Sequence, residues 1–422
     1  MSTRPVPSAV PVPAVVPGAS AAALDAADPL AGHRSAFVGS EGSLVYLDGN
    51  SLGRPLRVSA GRMATFVQEE WGGRLIRGWG DLGEGGWTDL PTTLGDRLGR
   101  VVLGAGPGQT VVGDSTTVQL YKLLHAACSL RPGRTELVVA TDDFPTDRYV
   151  AESVARARGL SLVWVEPSDP AAGVTDDDVA AVTGDRTAAV LLSHVAYRSA
   201  WVVPVAGIAE VAHEVGALLV LDLSHSAGVL PVDLDATGVD LAVGCGYKYL
   251  NGGPGAPAFA FVAARHHDVL AQPVTGWMGH ADPFAMGPGY EPAPGVRRLV
   301  AGTPPVLAMQ PLVDMLDLLE QVGIDAVRAK SVALTSFATD VAGRLLPQAR
   351  LGSPADPARR GGHVTLTHPR MREVVAALWQ RDVLPDHREP DGLRVGLSPL
   401  STSFAEVEAG ISAAAEVLAH LG

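Results

Sequence analysis

The sequence predicts an α/β protein with a mostly parallel sheet in a large domain and a smaller α+β domain at its C-terminal end. Three observations support this. A chain of 422 residues exceeds one simple core, since a domain takes roughly 100–200 residues. Strand-length apolar runs alternate with helical stretches between Val111 and about Phe261, which implies a parallel sheet covered on both faces. Beyond Pro305 the alternation gives way to long helices, then a strand-like run and a last helix.

In chain order, residues 1 to about 25 read as an extended, disordered tail, because Pro5, Pro7, Pro11, Pro13 and Pro17 interrupt every apolar stretch. The same prolines deny a signal peptide its continuous apolar core. Residues 26–60 read as an arm belonging to the small domain. Within it, Leu44-Val45-Tyr46-Leu47 is a short strand and Asp48-Gly49-Asn50-Ser51-Leu52-Gly53 a tight polar turn, a candidate wall of a site. The large domain is expected over 61–305. Its strands are Thr110–Val112, Leu137–Ala140, Ser161–Val165, Ala189–Leu192 and the run ending at Asp222; its helices are Val118–Ala127, Tyr149–Ala157 and Ile208–Val215. Gly104-Ala105-Gly106-Pro107-Gly108 looks like a dinucleotide loop, yet it precedes a strand and Pro107 lacks an amide donor, so it reads as a turn. The small domain, 306–422, should carry helices Pro311–Gln321 and Ile324–Leu346, strands His363–Leu366 and Gly392–Val395, and a last helix from Phe404 to Leu421.

A formal charge of −13 argues against a nucleic-acid partner, which needs clustered Lys and Arg, and leaves a small molecule as the expected ligand. Cys128 and Cys245 supply neither a disulfide framework nor a zinc-type spacing, so no metal site is expected and a reducing cytoplasm is the simplest compartment. No apolar run reaches the ~18 residues of a membrane span, so no membrane partner is expected.

The chemistry concentrates in three segments. Gly244-Cys245-Gly246-Tyr247-Lys248-Tyr249-Leu250-Asn251-Gly252-Gly253 puts one lysine between two tyrosines, after an apolar run and before a glycine-rich turn. Burial beside aromatic rings favours a neutral, nucleophilic amine, so Lys248 reads either as a Schiff-base lysine or as a snorkelling lysine at a strand end. Asp222 lies 26 residues upstream at the end of a buried-type strand, where open α/β sheets bind ligands. A carboxylate there can hold a pyridine nitrogen protonated, as a pyridoxal 5'-phosphate (PLP) site requires, or it can cap a turn. Gly113-Asp114-Ser115-Thr116-Thr117 follows a strand and opens a helix; it is a phosphate cup, a plain N-cap, or both.

Tyr46–Gly53, Phe144-Pro145-Thr146-Asp147, Asp222–Gly228, Gly246–Gly253, Gly276–His280 and Gly302–Pro305 occur in the order expected of kynureninases. From about residue 30 to its end the chain resembles the bacterial members of that family, PLP-dependent enzymes of the transferase-like fold type I. The resemblance implies that Lys248 carries PLP, that Asp222 pairs with the ring nitrogen and that Phe144 stacks on the ring. It implies cofactor contacts from Asp147, Ser193 and His225, and places Thr116, Thr117 and Tyr247 at the phosphate end. Trp277 and Thr303 would reach the site from the partner subunit of a homodimer. Arg394 would clamp the substrate α-carboxylate, a bidentate task that suits a planar guanidinium, with Ser51, Trp79 and Thr303 also on the substrate side. The implied reaction, a step of tryptophan catabolism, is hydrolysis of the Cβ–Cγ bond of L-kynurenine to anthranilate and L-alanine. Lys248 would move the Cα proton, water would add to the γ-ketone, and Tyr247 would act as acid/base.

Gln119 and Ala196 stand where the family commonly has asparagine, Met278 where an aromatic is common, and Ser401 where tyrosine is common. Trp79 and Thr303 replace the histidine and asparagine of animal enzymes that favour 3-hydroxykynurenine, which points to plain kynurenine here. The alternatives are a hydroxylated, methylated or halogenated kynurenine as substrate, another fold-type I reaction such as an aminotransferase or desulfurase, and a PLP-binding protein without turnover.

Overall fold

The computed structural model describes residues 15–80, 86–168 and 173–421. Its strands in chain order are β1 (Val45–Tyr46), β2 (Thr110–Val112), β3 (Glu136–Ala140), β4 (Ser161–Val165), β5 (Thr187–Ser193), β6 (Leu218–Asp222), β7 (Leu241–Cys245) and β8 (Ala258–Val262). They continue with β9 (Arg350–Leu351), β10 (His363–Thr367), β11 (Val383–Leu384), β12 (Asp386–Arg388) and β13 (Gly392–Gly396). A seven-stranded sheet runs β2-β8-β7-β6-β5-β3-β4. Its pairs from β7 to β4 are parallel, and β8 is antiparallel to both β7 and β2.

The central strands are buried along their whole length because both faces are covered. On β3, Leu137 and Val139 pack with Leu123, Leu124 and Val154 of the helices Thr116–Leu130 and Pro145–Arg158. Val138 and Ala140 point the other way, toward Ile208 and Ala212 of the helix Val205–Glu214. The same alternation runs through Leu218 and Val220 against Leu219 and Leu221 on β6. Each such side chain removed from water is worth about 1.5–3 kcal/mol, and the apolar runs seen in the sequence follow from this two-sided burial.

A four-stranded antiparallel sheet, β12-β13-β10-β9, forms the second layer system. Its own core joins Val364, Leu366, Leu393 and Val395 to Phe337 and Val341 of the helix Ile324–Leu345 and to Val407 and Ile411 of the helix Phe404–Leu421. β1 pairs in parallel with β11, so the arm near residue 45 belongs to this layer.

Two expectations need correction. The tail was expected to extend to about residue 25. Instead Ser20 caps a helix over Ala21–Ala27, and Ala21 and Leu24 enter the small-domain core. The prolines end at Pro17, and Ser-Ala-Ala-Ala-Leu has the cap and propensity to start a helix. Its Asp25 accepts from the backbone N–H groups of Phe404 (2.8 Å) and Ala405 (3.0 Å), satisfying the start of the last helix. Asp28 meanwhile pairs with the fully buried Lys330. The rest of the expected tail, residues 1–14, lies outside the described residues. Secondly, the helix expected from Pro311 begins at Val306 and accommodates Pro311 inside it. A proline this near the start forfeits only one backbone bond.

Candidate active site

The C-terminal ends of β5, β6 and β7 open onto one cavity, the position where parallel sheets expose strand-end groups. Thr116, Thr117, Phe144, Thr146, Asp147, Ser193, Val195, Tyr197, Asp222, Ser224, His225, Tyr247 and Lys248 line it. Lys248 comes after β7 in a tightly folded turn. Gly53 N donates to the Tyr247 carbonyl at 2.9 Å, and a Cβ on Gly53 would stand 2.4 Å from the Lys248 carbonyl, so only glycine fits there. Lys248 Nζ lies 3.0 Å from His225 Nε2 and 5.8 Å from the centre of the Phe144 ring.

His225 is fully enclosed, and burial together with the Lys248 charge holds it well below its usual pKa. The imidazole is therefore neutral, and its Nε2 can accept from the lysine. Its Nδ1 is buried and finds no hydrogen-bond partner among the described residues.

Three carboxyl groups gather at the sheet end. Asp222 closes β6 and accepts from Ser224 N at 2.7 Å. Asp147 lies against it; burial, then the Asp222 and Asp143 charges, push its pKa well above the usual carboxylate range. Asp143 accepts from Ser193 N at 2.8 Å, and burial pushes its pKa up to about 7 despite that bond. Phe144 is 38% exposed, lines the cavity and makes a T-shaped contact with Tyr197 at 5.4 Å between ring centres. At the opposite end Ser115 caps the fifteen-residue helix Thr116–Leu130, whose first turn holds no acidic residue. Thr116 and Thr117, at the start of that helix, line the cavity.

Arg394 is placed differently. It is 1% exposed and lines none of the cavity just described. Its Nη1 donates to the Tyr197 carbonyl (2.7 Å), and its Nη2 donates to Ser51 Oγ (2.7 Å) and Asp386 Oδ2 (2.6 Å). Its Nε reaches the side-chain oxygen of Asn50 at 3.0 Å. Nearby, burial raises Asp48 to about 6. Trp277 (39% exposed) packs edge-on to Phe284, Trp79 packs edge-on to Trp87, and Thr303 is exposed. None of these three lines the cavity.

Sequence reasoning passed over Asp143, Thr146, Val195, Tyr197 and Ser224. Asp143 and Tyr197 lie just after β3 and β5 and are findable by inspecting the residues beyond the C-terminal end of each parallel strand. His363 was missed too; it is buried on β10 with its ring centre 5.6 Å from that of His225.

Residues 327–414 match the family described as Kynureninase C-terminal domain. Over 405 residues the chain is 40% identical to the kynureninase of Pseudomonas fluorescens, covering 94% of both chains. It is 43% identical over 404 residues to that of Deinococcus radiodurans, covering 94% of this chain and 96% of the relative. The chain belongs to the kynureninase family. Its fold is shared more widely. The apo cysteine desulfurase of Thermococcus onnurineus superposes with a TM-score of 0.76 at 19% identity, over 89% of this chain and 95% of its own. A C-DES variant with glycine covalently linked to its PLP cofactor gives 0.76 at 17% identity, over 91% and 99%.

Proposed function

We propose that the protein is a PLP-dependent hydrolase that cleaves the Cβ–Cγ bond of L-kynurenine to anthranilate and L-alanine. The observation that carries this is Lys248 beside Phe144, His225 and Asp222 in one cavity, within a chain of this family. The residues present suit the cofactor. Asp222, at the end of β6 with Asp147 against it, offers the cavity a strand-end carboxyl group for a ring nitrogen, and Phe144 and Lys248 line the same cavity. The helix terminus at Thr116 and Thr117 suits the phosphate. Bound there, PLP supplies an electron sink for a carbanion at the substrate Cα.

The chain's own groups divide the remaining work. Lys248 holds the cofactor covalently and moves the proton at Cα. Neutral His225 accepts from its amine and keeps it aimed. Phe144 closes one face of the ring site to water. Burial and the neighbouring Cys245 and Asp222 raise the Tyr247 phenol, so it keeps its proton at neutral pH and serves as the acid that protonates the carbon released by cleavage. Arg394 takes the α-carboxylate, with Ser51 beside it. The exposure of Trp277 and Thr303 favours a homodimer in which they complete the partner's site, and Trp79 and Thr303 favour kynurenine without a ring hydroxyl. The division 26–60, 61–305 and 306–422 is kept as our reading of the domains, although Leu30, Phe37 and Leu56 of the arm and Met309, Leu312 and Leu319 of the helix Val306–Val322 pack in the large-domain core, while Leu47, Phe337, Val364 and Phe404 share the other. Among the described residues no helix is long and apolar enough to cross a membrane, and a cytoplasmic location remains our reading of the two free cysteines.

Anthranilate fluorescence on mixing the PLP-loaded protein with L-kynurenine tests this. Growth with wild type and a loss of about a thousandfold or more in Lys248→Ala is expected. A flat wild-type trace despite bound PLP would reject the assignment, and a higher kcat/KM for 3-hydroxykynurenine would reject the ring preference.

A further inference from the structure

The turn ahead of Thr116 is held by charges that the reaction does not use. Asp114 has φ +53°, a left-handed conformation that non-glycine residues seldom adopt. Lys122, in the second turn of the following helix, is completely buried. Its ammonium donates to Asp114 Oδ2 at 2.5 Å and to the Leu299 carbonyl at 2.6 Å. Gln119 Nε2 donates to the Gly113 carbonyl at 3.1 Å. The backbone is pinned as well, since Gly113 N donates to the Ala258 carbonyl at 2.8 Å and Ala258 N to that of Asp114 at 2.9 Å. A lysine is buried at this depth only with partners that replace its water, and Lys122 does not line the cavity. It holds instead the one turn that aims the start of the helix.

We propose that Lys122 is a positioning residue for the cofactor phosphate: through Asp114 it locks the Gly113–Ser115 turn so that the amides and hydroxyls of Thr116 and Thr117 converge on one anion. Through the Leu299 carbonyl it also ties that cup to the segment leading to Thr303. This rests on the PLP reading above. It adds a residue that touches neither cofactor nor substrate but sets how tightly the phosphate is gripped.

The test compares apoprotein of wild type, Lys122→Met and the double variant Lys122→Met/Asp114→Asn. Each is titrated with PLP and with pyridoxal, which lacks the phosphate, while capture by Lys248 is monitored by absorbance and the melting of each apoprotein is recorded. For Lys122→Met the Kd for PLP should weaken about tenfold to a hundredfold, the scale of lost charge-assisted hydrogen bonds, while pyridoxal capture stays at the wild-type level. The double variant leaves no unpaired charge; its melting should recover while its PLP defect persists. An unchanged Kd for PLP, or equal losses for PLP and pyridoxal, would overturn the proposal and leave Lys122 a purely structural group. Wild type binding both aldehydes equally would instead remove the phosphate cup itself, and the proposal with it.

Discussion

The cofactor end of the cavity and the guanidinium of Arg394 are close neighbours organised in opposite ways. At the first, strand ends and a helix terminus present open groups: Phe144 is 38% exposed, and Lys248 Nζ lies 3.0 Å from His225 Nε2. At the second, Arg394 is enclosed, with Ser51, Asn50, the Tyr197 carbonyl and Asp386 occupying its donors. Asp386 also pairs with Arg388 at 2.8 Å, so it has a partner to keep if Arg394 turns away. A rigid α/β scaffold preforms the first, whereas Arg394 rests in an internal ion pair with Asp386, which a carboxylate would have to replace if Arg394 is the clamp we propose.

Arg394→Lys tests this contrast hardest. A lysine keeps the charge but loses the planar fork, so kcat/KM for kynurenine should fall at least about a hundredfold, mostly through KM, with PLP affinity unchanged. Steady-state kinetics with a PLP titration would decide it, and an unaltered KM would show that the clamp lies elsewhere. A smaller effect is expected for Asp386→Asn. If the aspartate competes with substrate for Arg394, weakening it should lower KM about fivefold, the scale of one modest hydrogen bond, at constant kcat. A raised KM would make Asp386 a support for the clamp.

The smallest effect concerns the cofactor end and depends on pH. Asp143 is pushed up to about 7 by burial, so between its unfolded pKa near 4 and about 7 the folded protein holds a proton that the unfolded chain has lost. Stability from this group is greatest below that window and declines as pH rises through it. Asp143→Asn keeps an acceptor for Ser193 N without the charge. It should therefore gain about 1–3 kcal/mol at pH 8 relative to pH 5 in apoprotein melting. Equal melting shifts at both pH values would mean that the carboxyl is ionised throughout.

Much of the cofactor end was legible in the sequence because its signals are local. A strand-end Asp222, a lysine in a glycine-rich turn and a capped helix at Ser115 each declare themselves within about ten residues. The four-stranded antiparallel sheet was only half visible, since β9 and β12 are two and three residues long and carry little periodicity. The helix at Ala21–Ala27 was hidden for another reason: its Asp25 is fixed by the last helix, 379 residues further along the chain. Nothing in their local sequence marks Lys122 and Lys330, yet both are fully buried.

By itself the sequence determined the α/β class, the buried parallel strands and which strand-end and turn residues to look for in the cavity. Apolar periodicity and turn composition are properties of neighbouring residues, and strand ends are where such a sheet must expose its functional groups. Only the tertiary structure decided which carboxyl groups crowd together, that Arg394 rests on Asp386, and that Lys122 pairs with Asp114 before Thr116. Those outcomes depend on charges brought together from distant parts of the chain in a water-poor interior, where a few ångströms of separation set whether a group is ionised, paired or free.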